Sequence, residues 1–401
     1  QIACDNFAAW KLYNILIKRQ KEDATMIKAA IYGAGAMGGT LGALIEKSGG
    51  TIDLYARNPA HVAAVRKRGL TLRCSADQTS FTVRPAIFTP EEMPERTRQN
   101  GRYDVIFLMT KQRDNEKIVT FLKDFLSGNG VVVTTQNGLP EESVAKIVGA
   151  EKTFGGVCSF GANFTTPGEA ELTSTLASAK ICIGAYAPPP VKVQSDENQR
   201  GGICTSAQTS EQFGNIRALL QPVAAITNEN FYRETENLAG VRYAKLIVNA
   251  AFSSLSAATG LTFGEVAADK TARKLALGIM RETLAVASAQ HISVDTVQGK
   301  NVARLLHKAK PPFGAIKDKL LLFLLPKFVK NHKNSVSGML LDIRRGRRCE
   351  IDYIAGAVSA AGIKTGVRTP LCDGVVRVVR AAENGEIKLC KENCGLLLDS
   401  D

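Results

Sequence analysis

Short aliphatic and β-branched runs bounded by glycine or polar residues dominate the first half of the chain: Ala29 to Tyr32, Thr51 to Tyr55, Tyr103 to Lys111 and Gly130 to Gly138. Such runs read as strands buried on both faces. Between them lie helical stretches, one through Leu41 to Glu46 that stops at Gly49 and Gly50, and one from about Asn115 to Leu126. Strand and helix in alternation predict a parallel sheet covered on both faces. From Phe154 to Tyr186 the segments shorten and are broken by Gly and Pro, which predicts antiparallel strands appended to that sheet. Residues 187–212 are rich in Pro, Gly and polar side chains and read as an exposed insertion. A short helix and strand follow to about Arg233. Beyond Glu234 the strand signals vanish and helix-like runs continue to about Glu383. The expected organisation is a leader of unknown role (1–25), an α/β domain (26–234, containing the insertion), an all-α domain (235–390) and a tail (391–401), with no internal repeat.

One helical run breaks the usual polar pattern. In "RYAKLIVNAAFSSLSAATG", residues 242–260, Lys245, Asn249 and Ser253 stand at i, i+4 and i+8 and line a narrow polar stripe. Leu246, Ile247, Val248 and Phe252 cover the rest, and no acidic residue occurs in the run. A helix so apolar is buried on most sides. Burying an ammonium group costs several kcal/mol unless it is partnered or faces a wet cleft. Periodicity leaves two readings open: a lysine that snorkels to solvent, or one held in a functional cleft.

Gly33, Gly35 and Gly38 form G-x-G-x-x-G after a predicted strand and at the opening of a helix. That context fits dinucleotide binding: a tight turn, close backbone approach to a pyrophosphate, and a helix N-terminus facing the negative charge. Ala36 and Met37 belong to the same turn. An NAD-binding chain needs an acidic residue at the end of the second strand, whereas here Arg57 follows "LYA", favouring NADPH. Asp53 lies earlier in that strand and is expected to point elsewhere.

At 401 residues and 45% hydrophobic content the chain is long enough for about two cored domains. Its longest apolar runs, such as Leu320 to Pro326, are too short to span a bilayer, so no membrane partner is expected. Residues 1–25 lack the apolar core and cleavage site of a secretory signal, and Met26 fits a translation start. Nine scattered cysteines suggest free thiols, and a cytoplasmic location is expected. Cys390 and Cys394 read as incidental. Four histidines, none beside a motif, argue against a metal site. The net charge of +13 draws polyanions of any kind, and "RRGRR", Arg344 to Arg348, is the best local argument for nucleic acid. A solvated basic turn, or steering of a phosphorylated cofactor and an acidic substrate, explains the charge equally well.

The segments "YGAGAMGG", "MTKQRDNEKIV", "TTQNGLPEE", "YAKLIVNAAFSSLSAATG" and "GMLLDIRRGRRCEIDYIAGAV" resemble, in order and spacing, the ketopantoate reductases (2-dehydropantoate 2-reductases), from about Met26 to Glu383. The resemblance implies an N-terminal Rossmann-type domain and an all-helical C-terminal domain, a 6-phosphogluconate-dehydrogenase-like pairing, with NADPH reducing a 2-oxo acid in the cleft between them. Lys245 falls on the family's catalytic lysine. Asn249 matches a substrate-contacting asparagine, Glu350 a glutamate in the cleft, Asn137 an asparagine at the end of a central strand, and Lys111 a lysine at the cofactor edge.

The chain departs from the family at Ser253-Ser254-Leu255, where "NPL" is usual, and at Gly338, where a serine usually helps hold the substrate carboxylate. Ser253 and Ser337, or Ser335, are the hydroxyls on hand to replace them. The leading expectation is reduction of 2-dehydropantoate to (R)-pantoate on the way to pantothenate and coenzyme A. The alternatives are reduction of another branched or aromatic 2-oxo acid, and an NADP(H)-binding sensor without turnover, against which the retention of Lys245 and Glu350 argues. No nucleic-acid motif accompanies the basic charge. The oligomeric state is not legible, a homodimer being the form entertained.

Overall fold

The structure is a computed structural model, and it describes residues 27–187, 207–297, 299–307 and 313–397. The expected leader, 1–25, and most of the insertion lie outside the described residues.

Among the described residues, twelve strands form two sheets. The larger runs β12 (Tyr232–Glu234), β11 (Ile181–Ala185), β8 (Thr153–Cys158), β7 (Leu126–Thr134), β6 (Tyr103–Leu108), β1 (Ala29–Tyr32), β2 (Asp53–Tyr55), β5 (Ile87–Phe88) in spatial order. From β5 to β8 every pairing is parallel, and β11 joins β8 antiparallel. β1 is buried throughout and β6 at every residue but Asp104, as strands covered on both faces require. One face packs the apolar side of the helix Ala36–Lys47, the other the helices Asn115–Leu122 and Glu141–Val148.

The segment 154–186 departs from expectation. Only β11 extends the main sheet antiparallel, whereas β8 continues the parallel order. β9 (Ala162–Phe164) and β10 (Glu169–Leu172) pair instead with β3 (Leu70–Cys74) and β4 (Thr79–Val83) in a separate sheet ordered β4-β3-β10-β9. Alternation explains it: Leu70, Leu72 and Cys74 point one way and join Ala170 and Leu172 in covering the glycine-turn helix. Two boundaries also move. Residues 207–212 are already helical, in Ala207–Leu220, and Gln212 is buried with its amide on the Asn129 and Glu151 carbonyls rather than exposed. Residues 391–397 are no free tail: Cys394 and Leu397 are buried in the helical core and Asn393 donates to the Ala258 carbonyl at 2.8 Å.

After β12 the regular elements among the described residues are helices, apart from an isolated bridge between Val297 and Lys300. The helices Leu238–Val248, Lys270–Ala289, Ala355–Thr365 and Pro370–Glu383 enclose a second core around Ile247, Phe252, Met280 and Val379. The structure thus holds an N-terminal parallel-sheet domain and a helix-rich C-terminal one, with the C-terminal ends of β7 and β8 facing the helix that carries Lys245.

Candidate active site

The turn after β1 is built by its glycines. Gly33 has φ of +108°, and a Cβ there would stand 2.8 Å from backbone atoms of Met109 and Thr110. A Cβ on Gly38 would strike the Gly33 carbonyl oxygen, so helix and strand approach as closely as backbone allows. Gly35 is different: nothing lies within 4 Å of the place its Cβ would occupy. It is also the N-cap of Ala36–Lys47, and no side chain caps that helix. Open space, uncapped N–H groups around Ala36, Met37 and Gly38, and the positive end of a helix dipole together fit a pyrophosphate. Arg57 follows the end of β2 with its side chain 70% exposed, 3.9 Å from Asp114. Asp53 is committed elsewhere: Arg96 holds its carboxylate at 2.7 and 2.9 Å, and the Tyr103 hydroxyl donates to it at 2.7 Å.

Lys245, Asn249 and Ser253 are half-buried while Leu246, Ile247, Ala250, Ala251 and Phe252 are buried, so the polar stripe is real. Its geometry holds a feature the α periodicity did not foretell. Residues Asn249–Ser253 form a π-helical turn between two α-helical segments. In an unbroken α-helix positions i, i+4 and i+8 drift progressively around the axis. One wider turn removes part of that drift and keeps Ser253 above Lys245 and Asn249; such turns recur at functional sites.

The Lys245 ammonium donates to the Cys158 carbonyl, at the end of β8, at 3.0 Å. Burial holds its pKa below the ordinary lysine value, and the Arg242 charge lowers it further, while the Cys158 thiol and Glu350 pull the other way. Snorkelling is excluded, since the ammonium turns inward to the sheet. Glu350 is its counterpart: burial raises its pKa and Asp342 adds to this, against Lys111, the Gln112 backbone N–H and Lys245. The mutual influence of Lys245 and Glu350 places both in one electrostatic environment. Groups with opposed perturbations are what acid–base sites contain.

Lys111 and Asn137 lie just beyond the ends of β6 and β7, and the Lys111 charge acts on Glu350. Lys111 makes an ion pair with Asp342 of the helical domain, a partner the sequence did not suggest. The carbonyl of Asn137 accepts from the Gln112 amide, and Gly138, at φ of +80°, packs against the Tyr353 carbonyl. Ser337 is the residue the structure moves out of its expected role. Its Oγ accepts from the Leu340 N–H at 3.0 Å as the N-cap of Gly338–Arg344, and the side chain is 2% exposed. Beside it Gly338 is exposed, with nothing within 4 Å of where a Cβ would stand. The basic turn Arg344 to Arg348 is exposed throughout. Sequence reasoning also passed over Arg242, 2% exposed and paired with Glu141. The signal was there, a second cation three residues before Lys245 in the same apolar run.

A parallel sheet with a glycine turn at one strand end, and a helical domain that brings a half-buried lysine to another strand end with a glutamate in the same electrostatic environment, fit a nicotinamide-dependent oxidoreductase. The family profile described as "Ketopantoate reductase PanE/ApbA" matches residues 29–188, and "Ketopantoate reductase PanE/ApbA C terminal" matches residues 237–383. The chain belongs to the ketopantoate reductase family. Among similar proteins, the 2-dehydropantoate 2-reductase of Lactococcus lactis subsp. lactis is 24% identical over 358 residues, covering 89% of this chain and 98% of the relative. That of Mesorhizobium japonicum is 26% identical over 368 residues, covering 90% and 99%. Among solved structures, the 2-dehydropantoate 2-reductase of Geobacter metallireducens GS-15 is similar with a TM-score of 0.67 at 24% identity, covering 89% of this chain and all of that one (100%). A D-mandelate dehydrogenase solved with NADH and anilino(oxo)acetate gives a TM-score of 0.69 at 22% identity, covering 90% and 99%.

Proposed function

We propose that this enzyme uses NADPH to reduce 2-dehydropantoate to (R)-pantoate, a step toward pantothenate and coenzyme A. The observation that carries the proposal is Lys245: an ammonium group held by burial below its usual pKa and turned to the end of β8, in the same sheet whose β1 leads into the dinucleotide turn. A bound nicotinamide supplies the hydride. As the carbonyl oxygen of a 2-oxo acid takes on negative charge, the Lys245 ammonium stabilises it and then gives up a proton, which its depressed pKa makes easier. Asn249 and Ser253, on the same stripe, offer an amide and a hydroxyl to the substrate. Asn137 and Lys111, just beyond the ends of β7 and β6, position cofactor and substrate, and Glu350 is the acid whose charge acts on Lys245. Gly33, Gly35, Ala36, Met37 and Gly38 cradle the pyrophosphate, and Arg57 takes the 2'-phosphate that distinguishes NADPH. A sensor without turnover has no use for a buried lysine with a depressed pKa.

A second substrate reading has its own support. Gly338 leaves open space where a side chain would stand, and the similar D-mandelate dehydrogenase was solved with NADH and anilino(oxo)acetate. Both suit a larger branched or aromatic 2-oxo acid. NADPH oxidation followed over a panel of 2-oxo acids separates the two: the highest kcat/KM on 2-dehydropantoate supports the first, and a preference of tenfold or more for an aromatic acid, about 1.4 kcal/mol, supports the second.

A further inference from the structure

We propose that Arg242 is the positioning residue of this site: its buried guanidinium ties the helix carrying Lys245 to the strand end carrying Asn137, and so sets where the ammonium group stands. The inference rests on the reading of Lys245 given above.

Arg242 lies three residues before Lys245, so both project from one face of the helix Leu238–Val248. Its Nε donates to Glu141 Oε1 at 2.6 Å, one terminal nitrogen to the Gln136 carbonyl at 2.5 Å, and the other to the Thr134 carbonyl at 2.8 Å. The last of these nitrogens also stands 2.5 Å from Glu141. Thr134 ends β7, Gln136 immediately precedes Asn137, and Glu141 opens the next helix. Lys245 meanwhile reaches the end of β8, the strand beside β7. Two cations on one helix face are therefore clipped to the ends of two adjacent strands.

Apolar packing seats this helix on β8 and β11, through Leu238 against Gly155 and Gly184 and Val241 with Val157 and Cys182, and the Arg242 fork adds the tie to the end of β7. The planar fork of Arg242 satisfies two backbone carbonyls and a buried carboxylate at once, which a lysine ammonium does not reproduce. Removing it strands the Glu141 charge in the interior and releases the helix from β7. Arg242 also acts on Lys245 through space, since its positive charge helps to hold the lysine pKa down.

A purely architectural arginine explains the contacts too, and a double-mutant cycle with Lys245 separates the two roles. Wild type, Arg242→Lys, Arg242→Met, Lys245→Ala and Arg242→Met/Lys245→Ala are compared with 2-dehydropantoate for kcat, with cofactor fluorescence for NADPH Kd, and by thermal unfolding. If Arg242 positions Lys245, both single arginine variants lose about 10-fold or more in kcat, the scale of a misplaced catalytic group, with NADPH Kd little changed. In the Lys245→Ala background the same change then costs almost nothing. The basic limb of kcat in Arg242→Met also moves to higher pH, because a cation beside Lys245 is gone. A folded arginine variant with wild-type kcat overturns the proposal. So does a loss that multiplies in the Lys245→Ala background, or one that follows NADPH affinity with an unmoved pH profile. If the arginine variants do not fold, Glu141→Gln, which removes the carboxylate and keeps its shape, is put through the same cycle and decides by the kcat loss and its disappearance in the Lys245→Ala background; the pH limb, which reports loss of the Arg242 charge, is not part of that decision. Wild-type turnover in Lys245→Ala sinks the functional reading itself; an inactive Lys245→Ala beside fully active Arg242 variants sinks only this inference.

Discussion

Lys245 shows what a residue gains from its surroundings. In the sequence it is one cation in an apolar run; in the structure it donates to a carbonyl at a strand end, with burial lowering its pKa and Glu350 opposing that. Lys245→Ala is expected to lower kcat by on the order of 10²-fold or more while NADPH affinity stays near wild type, measured by steady-state kinetics and cofactor fluorescence. Reduction needs the protonated lysine, so activity is present at low pH and is lost as pH rises through its pKa. Because burial holds that pKa below the ordinary lysine value, the basic limb of kcat falls below that value as well. A limb at or above the ordinary value contradicts the assignment. Arg57→Ala is expected to weaken NADPH binding with little change for NADH, and equal losses for the two cofactors exclude Arg57 as the reader of the 2'-phosphate.

At the level of elements, the glycine turn separates shape from ligand. Gly38 is required by packing, since a side chain there meets the Gly33 carbonyl and Ile31, whereas Gly35 opens into space. Gly38→Ala is therefore expected to destabilise the fold by roughly 1–3 kcal/mol, the range for overpacking. Gly35→Ala should unfold at nearly the wild-type temperature yet bind the dinucleotide at least about tenfold more weakly, because a methyl group intrudes where backbone must approach pyrophosphate. Thermal unfolding with and without NADPH checks both. This turn, the central strands and the lysine helix were legible in the sequence because each obeys a local rule of period or spacing. The π turn at Asn249–Ser253 was not, because hydrophobic pattern does not distinguish one inserted turn in a helix buried on most sides. Nor was the second sheet: the pairing of β3 with β10 joins residues nearly a hundred positions apart, and strand period says nothing of partner.

At the scale of the whole molecule, the cleft is held by pairs that cross between domains, Lys111 with Asp342 and Arg242 with Glu141. Neither pairing was readable beforehand, since charge partners follow from tertiary approach and not from sequence distance. Ser337 shows the same limit, for its hydroxyl was drawn into capping a helix whose start the sequence did not mark. The net charge of +13 is read as serving anionic small molecules. Binding to duplex DNA is expected to be weak and to fall steeply with added salt. Tight, sequence-dependent binding at physiological salt contradicts that reading.

The central claim is that the cleft between the two domains reduces a 2-oxo acid with NADPH. Its most direct test is the oxidation of NADPH by the purified wild-type chain in the presence of 2-dehydropantoate, followed at the nicotinamide absorbance with NADH run in parallel. Turnover with NADPH at a kcat/KM well above that with NADH, yielding (R)-pantoate, is the result expected. Saturable NADPH binding with no turnover on 2-dehydropantoate or on any other branched or aromatic 2-oxo acid would contradict it and leave a protein that only binds the dinucleotide.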